Sequence, residues 1–141
     1  MSTNHDTARA ISDAFANIYY HCHPAFEMEL SHQAVRALQF LQMNGAATVT
    51  SVAAYLGCAQ NTASEMLRRL SDKGLVVRRR NEVDERVVNV HLTTTGLNTV
   101  NEHTGLDVDK LASRLGRVSL DERSEILNQM VRLQRLLEQE D

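Results

Sequence analysis

Gln60-Asn61-Thr62-Ala63-Ser64-Glu65-Met66-Leu67-Arg68-Arg69-Leu70 is the stretch whose reading decides the fold. Ala63, Met66, Leu67 and Leu70 are spaced i, i+3, i+4, i+7, and at about 100° per residue they share one face of a helix. Asn61, Glu65, Arg68 and Asp72 fall opposite, with Thr62, Ser64 and Arg69 on the flanks. Lys73-Gly74 is a C-terminal stop. The residues on either side complete a unit that spans residues 47–92. Ala47-Thr48 reads as a very short strand, and a helix runs from about Thr50 through Val52, Ala53 and Leu56 to Gly57. The quoted helix begins three residues later. Leu75-Val76-Val77 starts a strand whose return is Val87-Val88-Asn89-Val90-His91-Leu92, with a polar tip at residues 79–86. Two helices joined by a tight turn, followed by a hairpin, make a helix-turn-helix with a wing.

The flanks read as helices. Residues 1–5 are expected to fray, and Asp6 or Thr7 to cap a first helix carrying Ile11, Phe15, Ile18, Tyr19 and Cys22. Pro24 ends it near His23. Ser31 caps a second helix that bears Val35, Leu38, Phe40 and Leu41, and Asn44-Gly45 stops it. Thr93 caps a long fifth helix. Its positions Leu97, Val100, Val108, Leu111, Leu115 and Val118 approximate a heptad seam, interrupted near Thr104-Gly105. Ser119-Leu120-Asp121-Glu122 reads as a capping box that opens a sixth helix with Ile126, Leu127, Met130, Leu133 and Leu137 on one side. The fold class is therefore mostly α with a small β-hairpin wing.

Bulk properties agree. A chain of 141 residues is one domain by expectation and long enough to bury a core. A single proline, Pro24, favours helices. The net charge of −3 argues against a nucleic-acid binder until its distribution is read. From Arg68 to Arg86 seven basic residues face four acidic ones, so this window carries +3 and the remainder −6. A basic patch on an acidic body is the footprint of a DNA reader. The N-terminus is polar, with no signal-peptide pattern, and no apolar run approaches the roughly 18 residues of a membrane span. A cytoplasmic location is the default expectation.

In a helix-turn-helix the second helix lies in the major groove and its first residues meet base edges. That places Gln60, Asn61, Thr62, Ser64 and Glu65 as base readers. Asn pairs with adenine, and Glu accepts from the cytosine amino group. Arg68 and Arg69, one turn on, suit guanine or phosphate. In the hairpin, Arg78, Arg79, Arg80 and Arg86 are the candidate wing contacts, one of them for a narrow minor groove. Asp84 is placed to pair with a neighbouring arginine. An amphipathic helix alone is more often a solvated surface; the arginine hairpin directly behind it tips the reading to DNA.

The segment Asp84-Glu85-Arg86-Val87-Val88-Asn89-Val90-His91-Leu92-Thr93-Thr94-Thr95-Gly96 resembles the Asp-x-Arg … Leu-Thr-x-x-Gly pattern of the MarR (multiple antibiotic resistance regulator) family. Ala53-Ala54-Tyr55-Leu56-Gly57, Leu67-Arg68-Arg69-Leu70 and Gly74-Leu75-Val76 resemble that family's helix-turn-helix. The resemblance implies a single domain over residues 1–141, with a winged-helix lobe at 31–96 and dimerisation helices at 6–30 and 97–141. It implies a homodimer on a pseudo-palindromic operator, usually a repressor released by a small ligand, a metal or oxidation. Arg86 would be the minor-groove arginine and Asp84 its structural partner. Two positions depart from the pattern. Ala59 stands where a capping Ser is common, and Glu65 where a basic or neutral residue is common.

No cofactor is implied. His21, Cys22 and His23 are adjacent, with Glu27, Glu29 and His32 near, which raises a metal or redox site. Neighbouring helical residues point about 100° apart, so the three converge on one ion only where the helix ends. Cys22 continues the apolar stripe, so a buried small hydrophobe leads, ahead of redox sensing and metal ligation. Cys58, in the turn before the quoted helix, reads as packing, with oxidation as the alternative. His103 reads as a surface or interface residue. Phe26, Met28, Phe40 and Met43 are core candidates that could also line a ligand cavity. No nucleophile–base set, phosphate loop or firm metal spacing marks an enzyme. The competing reading is a small-molecule- or metal-binding module that uses the same fold without DNA.

Overall fold

The computed structural model describes residues 3–140. Residues up to Leu106 form one compact unit and those from Asp107 a second. The first contains α1 (Asn4–Cys22), α2 (His32–Asn44), β1 (Ala47–Thr48), α3 (Val49–Leu56), α4 (Gln60–Asp72), β2 (Val76–Arg80), β3 (Val88–Leu92) and α5 (Thr94–Thr104). The second contains α6 (Val108–Leu115) and α7 (Leu120–Glu138).

Helix ends follow their caps. Ser31 caps α2 through the Ala34 amide, Thr48 caps α3 through that of Ser51, and Ser119 caps α7 through that of Glu122. Helix α1 starts earlier than expected. Thr3, not Asp6 or Thr7, is its cap, and Asp6 closes a reciprocal capping box on the Thr3 amide. Of the residues expected to fray, Asn4 and His5 are helical, and residues 1–2 lie outside the described residues. His23 leaves the helix in extended geometry, as the residue before a proline must.

The long fifth helix expected from residue 94 to 118 is two helices. Helix α5 stops at Thr104, and Asp107 caps α6 through the Lys110 amide. The apparent heptad seam therefore splits. Val100 is fully buried in the first unit, where α5 packs on α2, whereas Val108 is exposed on α6. Periodicity counted across Gly105 had merged two separate faces.

The sheet has order β1-β3-β2, all antiparallel, with Ala47 opposite Val90 and a ladder from Val76↔Leu92 to Arg80↔Val88. Beneath it lies the core: Ala37, Leu38 and Leu41 of α2, Val52 and Leu56 of α3, Leu67 and Leu70 of α4, then Leu75, Val76, Val90 and Val100. Helix α4 buries Ala63, Leu67 and Leu70, the stripe read from its spacing, with Met66 half-buried beside them.

The base of the hairpin is closed by the Leu-Thr-x-x-Gly segment. The Thr93 amide donates to the Leu75 carbonyl at 3.1 Å, and the Thr93 hydroxyl donates to the Gly74 carbonyl at 2.7 Å. The same hydroxyl accepts from the Gly96 amide at 2.9 Å and so caps α5. A Cβ on Gly96 would sit 2.0 Å from the Leu75 carbonyl oxygen, so α5 approaches the strand that closely only with glycine there. Helix propensity alone favours Gly96→Ala by up to about 1 kcal/mol. The close approach reverses the sign, and the substitution is expected to cost about 1–3 kcal/mol in urea unfolding. A variant as stable as the parent would show that α5 does not dock this way.

Candidate nucleic-acid interface

Gln60, Asn61, Thr62, Glu65, Arg68 and Arg69 are exposed on one side of α4, and Ser64 is half-buried. The turn that presents them is set by Gly57, whose φ of 68° closes α3 in the left-handed region. Ala59 provides no side-chain cap, as its identity requires, and the first helical bond is Ala63 N–H to the Ala59 carbonyl at 3.1 Å. The helix is held by its buried stripe rather than by its cap.

The polar face of α4 is internally paired. Glu65 accepts from the Arg68 guanidinium and lies 3.6 Å from Arg69, and Arg68 also reaches Asp72 at 3.5 Å. The Arg68 hydrogen bond, with the charges of Arg68, Arg69 and Arg78, holds the Glu65 carboxyl below the usual glutamate range. The pair raises Arg68 in turn. All four side chains are exposed, so the network adds little stability. It sets the resting directions of both arginines.

The hairpin tip is organised by two acceptors. Asn81, which the sequence reading left unassigned, accepts from the amides of Val83 and Asp84 at 2.8 and 3.1 Å, and its own amide donates to the Val87 carbonyl. Asp84 accepts from both the backbone amide and the Nε of Arg86, each at 3.1 Å. The Arg86 side chain is 91% exposed, so the pair aims a guanidinium outward from the tip.

The four hairpin arginines are not equivalent. Side chains alternate along a strand, and Val76 faces the core, so Arg78 and Arg80 lie on its side and Arg79 on the other. Arg78 is half-buried and donates through Nη2 to the Ser64 carbonyl of α4. Arg80 donates to the Glu85 carbonyl across the hairpin at 2.8 Å. Arg79 is exposed.

The other singled-out residues lie elsewhere. Cys22 is half-buried and His21 exposed; the His23 ring donates to the Tyr19 and Tyr20 carbonyls and stacks on Tyr19. Among the described residues no three His, Cys, Asp or Glu side chains are grouped to hold a metal. Cys58 is half-buried against the core. His103 is not a plain surface residue: it stacks on Phe26 at 4.0 Å, donates to the Met28 carbonyl at 2.7 Å, and its carbonyl accepts from the Tyr19 hydroxyl. Phe26 and Phe40 do not share a stack, because Phe40 lies on Tyr55, and Met43 is exposed. No described helix is long and apolar enough to cross a membrane.

Residues 30–88 match the model of the MarR family. No curated protein matches significantly. Many solved structures share the fold. A MarR-like transcriptional regulator from Thermotoga maritima aligns over 99% of this chain and 100% of its own, with TM-score 0.64 and 19% identity. MepR of Staphylococcus aureus, bound to ethidium bromide, aligns over 97% and 98%, with TM-score 0.57 and 21% identity. PcaV of Streptomyces coelicolor, in complex with its natural ligand, aligns over 97% and 95%, with TM-score 0.53 and 19% identity.

The tip geometry fixes a titration. Both Arg86 hydrogen bonds favour the charged carboxylate and lower the Asp84 pKa. A lowered folded-state pKa means that the contribution of the pair is complete above the ordinary aspartate range. It is lost as pH falls through the lowered value. Carboxyl NMR is expected to place the Asp84 midpoint below that range, and Arg86→Ala to raise it; equal midpoints in the two proteins would show that the pair does not form.

Proposed function

We propose that this chain, whose residues 30–88 match the MarR family model, is a winged-helix transcriptional regulator of that family and binds double-stranded DNA sequence-specifically as a homodimer. The observation that carries this reading is the outward-aimed Arg86, fixed by Asp84 at the end of a hairpin whose base is pinned beside α4. In the proposed complex Gln60, Asn61, Thr62, Ser64 and Glu65 face major-groove base edges, and Arg68 and Arg69 face guanine or phosphate. Arg86 enters the adjacent minor groove, where a narrow groove concentrates negative potential. Arg79 and Arg80 lie along the backbone. The operator is pseudo-palindromic, and the protein acts on it as a repressor. A cytoplasmic location goes with that target.

A second copy is proposed from the faces that each unit leaves uncovered. Helix α1 exposes Ile11, Phe15 and Ile18, and α7 exposes Ile126, Leu127, Met130 and Leu137. Apolar faces of this extent are costly in a soluble monomer. A twofold dimer sets two recognition helices about 34 Å apart, one turn of DNA. Release by a small ligand is proposed by analogy with the ligand-bound structures that share the fold.

Arg86→Ala is expected to weaken binding to a duplex selected from random DNA by at least about tenfold, the lower range for one lost base or groove contact. Its thermal unfolding should match the parent. Undiminished binding in a gel shift at fixed salt would remove Arg86 from the interface. Binding that does not weaken with added salt would favour a module that uses the fold without DNA. Sedimentation at micromolar concentration should give a dimer, and Leu127→Glu with Met130→Glu a monomer; a monomeric parent would refute the proposed assembly.

A further inference from the structure

We propose that Arg78 is a positioning residue that locks the wing to the recognition helix, and so sets base discrimination without touching DNA. This rests on the DNA-binding reading above. Three observations carry it. Arg78 lies on the core-facing side of β2, directly after Val76 in the alternation. Its guanidinium donates to the main-chain carbonyl of Ser64, one turn into α4 and between the exposed readers Thr62 and Glu65. Its Nε is buried with no hydrogen-bond partner.

The third observation separates positioning from stabilisation. A buried donor left unpaired costs free energy, and a half-buried cation pays further desolvation. An apolar side chain of similar length would hold the core at least as well. What that chain lacks is a directional bond to one carbonyl. The bond ties β2 to a fixed point on α4, while the hairpin base is tied separately, through Thr93, to Gly74 and Leu75. Two ties on one hairpin restrict its swing relative to α4. Base-edge and minor-groove contacts then have to be made in one register, so a wrong sequence cannot be met by readjusting the wing.

The test compares Arg78→Met, Arg78→Lys and Arg79→Ala with the parent. The probes are a duplex that the parent selects from random DNA and a scrambled duplex of the same length, across a salt series. A phosphate contact carries about 0.9 in the slope of log affinity against log salt. Arg78→Met is expected to keep the parent slope and thermal midpoint. Its preference for the selected over the scrambled duplex should fall about tenfold, the worth of one base contact. Arg78→Lys, which keeps a donor at that point, should recover part of the preference. Arg79→Ala should do the reverse of Arg78→Met, losing slope and keeping preference.

A slope lowered by about 0.9 with preference intact would make Arg78 a phosphate contact and overturn the proposal. So would an unchanged slope with an unchanged preference. A lowered midpoint with preference intact would leave only a structural role. Amide hydrogen exchange of the free protein decides the coupling even if the parent selects no sequence, an outcome that would sink the DNA reading itself. Arg78→Met should speed exchange at Asn81 and Val87, beyond the tie, and spare the ladder at Val77. Unchanged exchange at Asn81 and Val87 would overturn the proposal.

Discussion

The junction of Thr93 and Gly96 with the Gly74–Leu75 backbone is the constraint on which the placement of α4, the hairpin and α5 depends. A two-stranded hairpin is marginal by itself. This one is stabilised at its open end by one residue that serves three groups at once: the Thr93 hydroxyl donates to the Gly74 carbonyl and accepts from the Gly96 amide, and its main-chain amide donates to the Leu75 carbonyl. Because Leu75 lies three residues past the end of α4, the end of α4, the root of the hairpin and the start of α5 are a single hydrogen-bonded knot. Gly96 is what lets α5 come close enough to tie it. The wing tip sits several residues away, yet its position is inherited from this knot.

That arrangement was legible in the sequence where chemistry is local. Helix periodicity gave α4, short-range caps gave Ser31, Thr93 and Ser119, and Asp84 with Arg86 is a pair two residues apart. Long-range contacts left no such trace. The bond from Arg78 spans 14 positions, and that from Tyr19 to the His103 carbonyl spans 84. The clue to Arg78 was present in strand parity, since Val76 and Arg78 share a face. A run of three arginines masked it, because charge invites reading all three as solvent-facing. The break after Thr104 was masked differently. Leu97, Val100, Val108 and Leu111 keep a plausible spacing through Gly105, and spacing alone cannot reveal that Asp107 restarts the helix.

Charge is divided by element rather than spread over the interface. On α4 the two arginines are offset by Glu65 and Asp72, so its exposed face presents paired charges with fixed directions. In the hairpin each of three arginines meets a different neighbour: Arg78 a helix carbonyl, Arg80 a carbonyl across the turn, Arg86 a carboxylate. Main-chain carbonyls fix direction without cancelling charge. The hairpin, with four arginines against Glu82, Asp84 and Glu85, keeps a net charge of +1, where α4 is neutral.

Helix α4 starts without a side-chain cap. Ala59 removes an oxygen that would hold the first turn of α4 from its own end. Loss of an N-cap costs about 0.5–2 kcal/mol. The burial of Ala63 seats the first turn of α4, and that of Leu67 and Leu70 orients its axis. A further restraint comes from the side, where Arg78 reaches the Ser64 carbonyl. A cap fixes a helix end relative to its own turn; a lateral tie fixes it relative to the wing. If α4 and the hairpin meet one duplex together, as proposed, the lateral tie is the constraint that holds them in one register.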